Sequence, residues 1–218
     1  MNTLLKILRE INFDRDRAVV IGRSGLNLWE GREGSEGKPV FGTDDMDLLC
    51  PDIRSARECE SILIGFGFTK MGAEFISTTG GSIDVLISDP DLPPGADYGF
   101  SNMPILRELW DARERIGGVL VVPAKAAILH KAANVREGSK DSDTIALYLR
   151  LHPEEIDDIL ADTQTMKEEQ RETVLLSLWI ASPKGSEIYK KIEGCVLRHL
   201  MTKNSIIDGE KYCPFGNM

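Results

Sequence analysis

The chain has 218 residues, of which 42% are hydrophobic and 28% are charged, as is usual for soluble globular proteins. A chain of this length can bury a core without disulfides or a structural metal. The net charge of -9 argues against a surface devoted to sequence-independent nucleic-acid binding, because such binding depends on Lys and Arg neutralising phosphates. No apolar run approaches the roughly 18 to 20 residues of a membrane span, and no secretion signal is recognisable. We therefore expect a cytoplasmic protein that does not enter membranes.

The first 64 residues combine apolar helical spacing with short apolar runs. Leucines and isoleucines at helical spacing predict the opening helix, and the run Ala18-Val19-Val20-Ile21 before Gly22 predicts a buried strand. In chain order the predicted elements are a helix over 3–11, a strand over 18–21, a helix around 26–29, an exposed Gly-rich connection over 30–42, a strand over 46–50 and a helix over 53–64.

The next stretch is dominated by strand signals. Two strands are predicted over 74–77 and 82–88, and the Thr79-Gly80-Gly81 joint between them predicts a hairpin. The Pro- and Gly-rich stretch over 89–99 is expected to be an irregular loop, and residues 118–122 are expected to form an edge strand.

Helices follow from Pro123, which suits the first turn of a helix. They are predicted over 124–135, 141–151, 153–161, 166–181 and 185–200. The fold class expected is therefore α+β, with a small mixed sheet flanked by helices in residues 1–120 and a helical C-terminal region in residues 121–218.

Two carboxylates stand at the start of the strand predicted over 46–50, in the run Asp44-Asp45-Met46-Asp47. Alternate side chains of a strand share a face, so Asp45 and Asp47 are expected to point the same way. Like charges raise each other's pKa, and a divalent cation between them removes that conflict. Mg²⁺ takes a few carboxylates together with water and phosphate oxygens, so the pair is a candidate Mg²⁺ or Mn²⁺ site. A solvated strand edge is the other interpretation of this pattern.

Asp84 stands alone inside the apolar run Ser82-Ile83-Asp84-Val85-Leu86-Ile87. An ionised carboxylate in such a strand is costly unless it is paired or bound to a metal. By itself Asp84 also fits a salt bridge with an arginine or a position facing solvent. Taken with Asp45 and Asp47, it suits phosphoryl chemistry on two metal ions.

The segment Val20-Ile21-Gly22-Arg23-Ser24-Gly25 and the following Asp-x-Asp strand resemble the glycine turn and metal-binding strand of polymerase-beta-type nucleotidyltransferases. Asp84 matches the third carboxylate of that family. The resemblance implies that Asp45 and Asp47 hold the metal and the nucleotide triphosphate, while Asp84 acts as a metal ligand and helps to activate an acceptor hydroxyl.

The same resemblance implies that Gly22, Arg23 and Ser24 form a phosphate-binding turn, with Thr43 as a further nucleotide-binding residue. Glycine suits a position at which backbone approaches a ligand closely. Arg23 stands where the family usually has a second Gly or Ser.

A second region, from Pro123 to Leu149, resembles the corresponding segment of AbiEii-like nucleotidyltransferases, the toxin partners of abortive-infection systems. Lys131, Arg136 and Lys140 are the nucleotide-binding residues that this resemblance implies. A solvated helix surface is the alternative for these three charges. The resemblance to the superfamily covers about residues 18–150.

Two functions are therefore open. The first is a Mg²⁺-dependent enzyme that transfers a nucleoside monophosphate from an NTP to a hydroxyl of an RNA end, a protein or a small molecule, with an antitoxin-like protein as partner. The second, which Arg23 motivates, is a catalytically silent nucleotide-binding or regulatory protein with the same fold.

Overall fold

A computed structural model describes residues 3–31, 41, 45–72, 74–78, 81–88, 99–100, 106–135 and 140–206. Within these ranges the elements are, in chain order, α1 (Thr3–Ile11), β1 (Val19–Ile21), α2 (Gly22–Trp29), β2 (Asp45–Cys50), α3 (Ile53–Gly65), β3 (Thr69–Met71), β4 (Glu74–Ile76), β5 (Ser82–Ile87), β6 (Gly99–Phe100), α4 (Leu106–Asp111), β7 (Glu114–Ile116), β8 (Val119–Val121), α5 (Ala124–Ala133), α6 (Asp141–Leu151), a 3-10 turn (Pro153–Glu155), α7 (Ile156–Thr163), α8 (Glu168–Ala181) and α9 (Glu187–Ile206).

The chain divides into two compact units, residues 1–131 and 132–218. In the first unit the described strands form one mixed sheet in the order β3-β4-β5-β2-β1-β8-β7, and β6 pairs with β5 in addition. β2 runs parallel to β5 and antiparallel to β1, and β1 runs parallel to β8. The start of β2, the start of β5 and the end of β1 therefore lie side by side, where the strands end on one side of the sheet.

The core of the first unit lies against one face of this sheet. Alternate residues of β2 and β5, among them Met46, Leu48, Ile83 and Val85, are buried there, as the pleat of a strand requires. Helices α1 and α3 pack against each other, and α3 also covers β2 and β5. Asp52 caps the start of α3 by accepting a hydrogen bond from the backbone N–H of Ser55 at 2.7 Å, which satisfies one of the unpaired amides at that end.

The second unit is helical. Helix α8 packs against α6, α7 and α9, and it buries Val174, Leu175 and Leu178 almost completely. Tyr148 of α6 is also fully buried, and its hydroxyl donates to a Glu155 carboxylate oxygen at 2.5 Å. In neither unit does a described helix combine the length and the apolar character needed to cross a membrane.

The expected fold class is confirmed, because a mixed sheet with flanking helices is followed by a helical region. The predicted opening helix coincides with α1, the strand over 46–50 with β2, and the hairpin of 74–77 with 82–88 is the antiparallel pair β4 and β5. The proposed domain boundary at residue 120 stays a prediction. The connection over 30–42 and the loop over 89–99 fall largely outside the described ranges.

The expectation of an edge strand over 118–122 is wrong in one respect. β8 covers residues 119–121, but it lies between β1 and β7 rather than at the edge. The edge belongs to β7, which the sequence did not predict because Glu114 and Arg115 give it no apolar alternation. β3 was missed for the same reason, since Thr69-Lys70-Met71 contains one apolar side chain.

Candidate active site

The three predicted carboxylates come together on two neighbouring strands. In the parallel pair of β2 and β5, Asp47 stands opposite Asp84, and Asp45 stands opposite Ser82. Residues in register on adjacent strands point to the same side of a sheet, and Asp45 lies two residues from Asp47. All three carboxylates therefore face away from the core that buries Met46 and Ile83. They lie near the ends of the strands at which β2 and β5 begin.

Two serines fix the strand that carries the Asp-x-Asp pair. The hydroxyl of Ser82 donates to Oδ1 of Asp45 at 3.1 Å. The hydroxyl of Ser24, which is only 4% exposed, donates to the backbone carbonyl of Asp45 at 3.0 Å. The second bond ties the first turn of α2 to the start of β2, so Ser24 positions Asp45 through its backbone.

Gly22 lies directly beneath Asp47. Its φ of +67° belongs to the left-handed region that glycine adopts without a steric penalty. A Cβ atom added to Gly22 would lie 2.3 Å from Oδ2 of Asp47, closer than any two such atoms approach. The sequence therefore needs glycine here for two separate reasons, the backbone turn from β1 into α2 and the space that the Asp47 carboxylate occupies.

The start of α2 packs equally tightly on β1. A Cβ atom added to Gly25 would lie 2.9 Å from the carbonyl oxygen of Val20. No side chain caps the first turn of α2, and Ile21, the residue before it, stands opposite Asp47 in the register of β1 and β2. The positive end of the helix dipole therefore lies near the strand ends that carry the carboxylates, where it favours negative charge.

Glu74 adds a fourth carboxylate that sequence reasoning did not include in the site. It stands opposite Asp84 across the antiparallel pair of β4 and β5. Burial raises the pKa of Asp84, and the charges of Glu74 and Asp45 raise it further. The sequence alone did not place it there, because Glu74 meets Asp84 only through the register of these two strands.

The remaining predicted nucleotide-binding residues are distributed over both units. Arg23 is half-buried in the first turn of α2, and Lys131 is half-buried in the last turn of α5, about two helical turns from the point where α5 follows β8. Lys140 is exposed and immediately precedes α6 in the second unit. Thr43 and Arg136 lie outside the described residues.

Comparison with known proteins gives two similar solved structures. No family model matches the sequence, and no curated protein matches it. One structure is that of a candidate nucleotidyltransferase from Helicobacter pylori, at 17% identity and a TM-score of 0.43, covering 88% of this chain and 94% of that chain. The other is JHP933 from Helicobacter pylori, at 13% identity and a TM-score of 0.36, covering 93% of this chain and 94% of that chain. A likeness this distant assigns no function to the present chain.

Proposed function

We propose that this protein is a Mg²⁺-dependent nucleotidyltransferase, which moves a nucleoside monophosphate from an NTP to an acceptor hydroxyl. The observation that carries the proposal is the gathering of Asp45, Asp47 and Asp84 on one face of β2 and β5, beside the glycine turn into α2. Hard oxygen donors of this kind are the ligands of Mg²⁺ and Mn²⁺.

The donor chemistry of these residues suits such an ion. Asp84 is half-buried beside Glu74 and Asp45, and burial together with these charges raises its pKa, so the site favours positive charge. Gly22 leaves the space in which the Asp47 carboxylate lies. When bound, Mg²⁺ supplies positive charge to the triphosphate and to the departing pyrophosphate.

Each residue then has a distinct task. Asp45 and Asp47 would hold the ion, which would bring positive charge to the triphosphate. The N-terminal turn of α2 offers backbone N–H groups to phosphate oxygens, as helix N-termini do in other phosphate sites. Asp84 accepts the proton of the acceptor hydroxyl. The hydroxyl oxygen then bonds to the α-phosphorus, and the bond from that phosphorus to pyrophosphate breaks. Burial and the neighbouring carboxylates raise the pKa of Asp84, which makes it a stronger base than an ordinary aspartate.

The finer part of the proposal rests on the resemblance of residues 123–149 to AbiEii-like enzymes. On that basis Lys131 contacts the triphosphate, and the enzyme acts as a toxin whose partner is an antitoxin-like protein. The acceptor is an RNA end, a protein hydroxyl or a small molecule.

The test combines labelled NTPs, Mg²⁺ and either total RNA or cell extract with four variants. Asp45→Asn and Asp47→Asn should each abolish label transfer and weaken Mg²⁺-dependent NTP binding, because each removes one negative ligand at nearly constant volume. Asp84→Asn should reduce turnover by about 10² to 10⁴, the usual worth of a general base, with little loss of NTP affinity. Glu114→Gln changes an exposed carboxylate on another strand of the same sheet and should leave transfer unaltered.

The alternative function is a catalytically silent nucleotide-binding or regulatory protein, and the presence of Arg23 in the first turn of α2 favours it. NTP binding that depends on Asp45, together with no transfer by the wild type under any condition, would select this alternative. Transfer that persists in Asp45→Asn and Asp47→Asn would refute the proposed mechanism.

A further inference from the structure

The second unit carries a partly open cavity of about 250 Å³ between α8 and α9. Its volume lies below the range of about 300 to 1,000 Å³ that is usual for drug-sized ligands, so it suits a smaller molecule. The residues that line it are Met166, Glu168, Arg171, His199, Thr202 and Lys203.

Two buried nitrogen atoms of this lining have no hydrogen-bond partner among the described residues. They are Nε2 of His199 and Nε of Arg171, and His199 as a whole is only 9% exposed. In folded proteins about nine in ten buried polar groups are hydrogen-bonded. Two unsatisfied nitrogens on one cavity therefore indicate an occupant that offers oxygen atoms to them.

The charges of the cavity wall are of both signs. Glu168 and Arg171 are three residues apart on α8, a spacing at which opposite charges commonly pair, yet neither forms an ion pair within the part of the chain that the structure describes. Lys203, by contrast, is paired with Glu172. Arg171 and Glu168 are thus the cation and the anion of the wall that form no ion pair among the described residues, while the charge of Glu168 also acts on Lys203.

The presence of both a positive and a negative charge distinguishes between a phosphate and a carboxylate ligand. A phosphate matches Arg171, but it places two negative charges beside Glu168, with Glu169 and Glu172 on the same helix. A molecule with one carboxylate and one ammonium group matches both open charges and adds no net charge. Met166 supplies an apolar wall for the rest of such a molecule.

We propose that this cavity binds a small zwitterion with the chemistry of a free α-amino acid. Its carboxylate accepts hydrogen bonds from Arg171 and His199, and its ammonium group donates to Glu168. All of these residues belong to the second unit, so the proposal is independent of nucleotidyl transfer at the Asp45 and Asp47 site.

The test uses the full chain and a panel of the standard L-amino acids, screened at millimolar concentration by ligand-observed NMR. Titration calorimetry then gives the affinity of the best binder, of its amide, which lacks the carboxylate, and of its N-acetyl derivative, which lacks the ammonium group. We expect both derivatives to lose binding. Arg171→Gln and Glu168→Gln should each weaken binding about tenfold or more, the worth of a hydrogen bond to a charged group.

Arg198→Gln is the matched control, because Arg198 is an exposed cation of α9 next to His199 that contacts Cys195 instead of the cavity, and its affinity should equal that of the wild type. Circular dichroism establishes that each variant is folded, and Arg171→Met, which keeps the length of the side chain and removes its charge, replaces Arg171→Gln if the latter unfolds. The proposal is overturned if no amino acid of the panel binds, if binding is unchanged in the Arg171 and Glu168 variants, or if inorganic phosphate binds the cavity and amino acids do not.

Discussion

Replacing Gly22 with alanine adds a methyl group at the point where the backbone turn and a proposed metal ligand meet. The backbone there has a φ of +67°, and holding a residue with a Cβ in the left-handed region costs about 1 to 2 kcal/mol. The new Cβ would also lie 2.3 Å from Oδ2 of Asp47, so the carboxylate must move before the variant can fold as the wild type does.

Gly72→Ala separates these two effects. Gly72 has almost the same φ, +68°, but an added Cβ there meets no atom within 4 Å. Both variants should lose the stability that the left-handed backbone costs, which corresponds to a fall in Tm of about 2 to 4 °C per kcal/mol for a protein of this size. Gly22→Ala should lose more, because Asp47 is displaced as well.

Nucleotide binding gives the decisive measurement. We expect Gly22→Ala to weaken Mg²⁺-dependent binding of a fluorescent NTP by about 10- to 100-fold, the usual effect of disturbing the groups that orient a metal ligand. Gly72→Ala should bind as the wild type does. If Gly22→Ala is folded and keeps wild-type Mg²⁺-dependent affinity, Asp47 is not the metal ligand that we propose.

Three further predictions concern stability. The pKa of Asp84 is raised in the folded protein, so its ionised form opposes folding at neutral pH and the penalty disappears as the pH falls. Asp84→Asn should therefore raise the Tm of the metal-free protein at pH 7. An unchanged or lower Tm would contradict this expectation. Arg17 and Arg15 lower the pKa of Glu58 from 4.5 to about 2, so Glu58→Gln should be less stable than the wild type above about pH 4.5, with the difference vanishing in urea titrations near pH 2. The buried Asn27 side chain donates to the Phe41 carbonyl at 2.8 Å and accepts from its N–H at 3.0 Å. Asn27→Ala should cost about 1 to 3 kcal/mol in urea denaturation. Asn27→Asp should also destabilise the protein, because its buried carboxylate would face the Phe41 carbonyl oxygen without a donor.

The candidate site was accessible to sequence reasoning because its carboxylates occupy strands with strong local signals. The alternation of Asp45, Met46, Asp47 and Leu48 defines both faces of β2, and the apolar run around Asp84 defines β5 in the same way. The local pattern therefore assigned each aspartate to a face before any pairing was known. That β2 and β5 are neighbours came from the resemblance alone, because local patterns carry no information on which strands pair.

What the sequence did not reveal depends on pairing between polar strands. Glu114-Arg115-Ile116 pairs with β8 through backbone hydrogen bonds, which do not require apolar side chains, and its polar composition resembles that of a loop. Glu74 entered the site only through the register of β4 against β5. Such positions follow from tertiary pairing, and short local patterns leave them undetermined.

The core on the opposite face explains why this sheet tolerates a cluster of like charges. Met46, Leu48, Ile83 and Val85 are all buried on that face, and burying each such side chain stabilises the fold by about 1.5 to 3 kcal/mol. A slip of one residue between the strands would exchange these side chains with the aspartates, so the core fixes the register and holds the carboxylates together against their repulsion. Folding alone does not favour a cluster of like charges. A preorganised metal site, however, requires its carboxylates to be held together on rigid strands in this way. Burial and the charges of Glu74 and Asp45 raise the pKa of Asp84, and the cation that we propose would offset that repulsion.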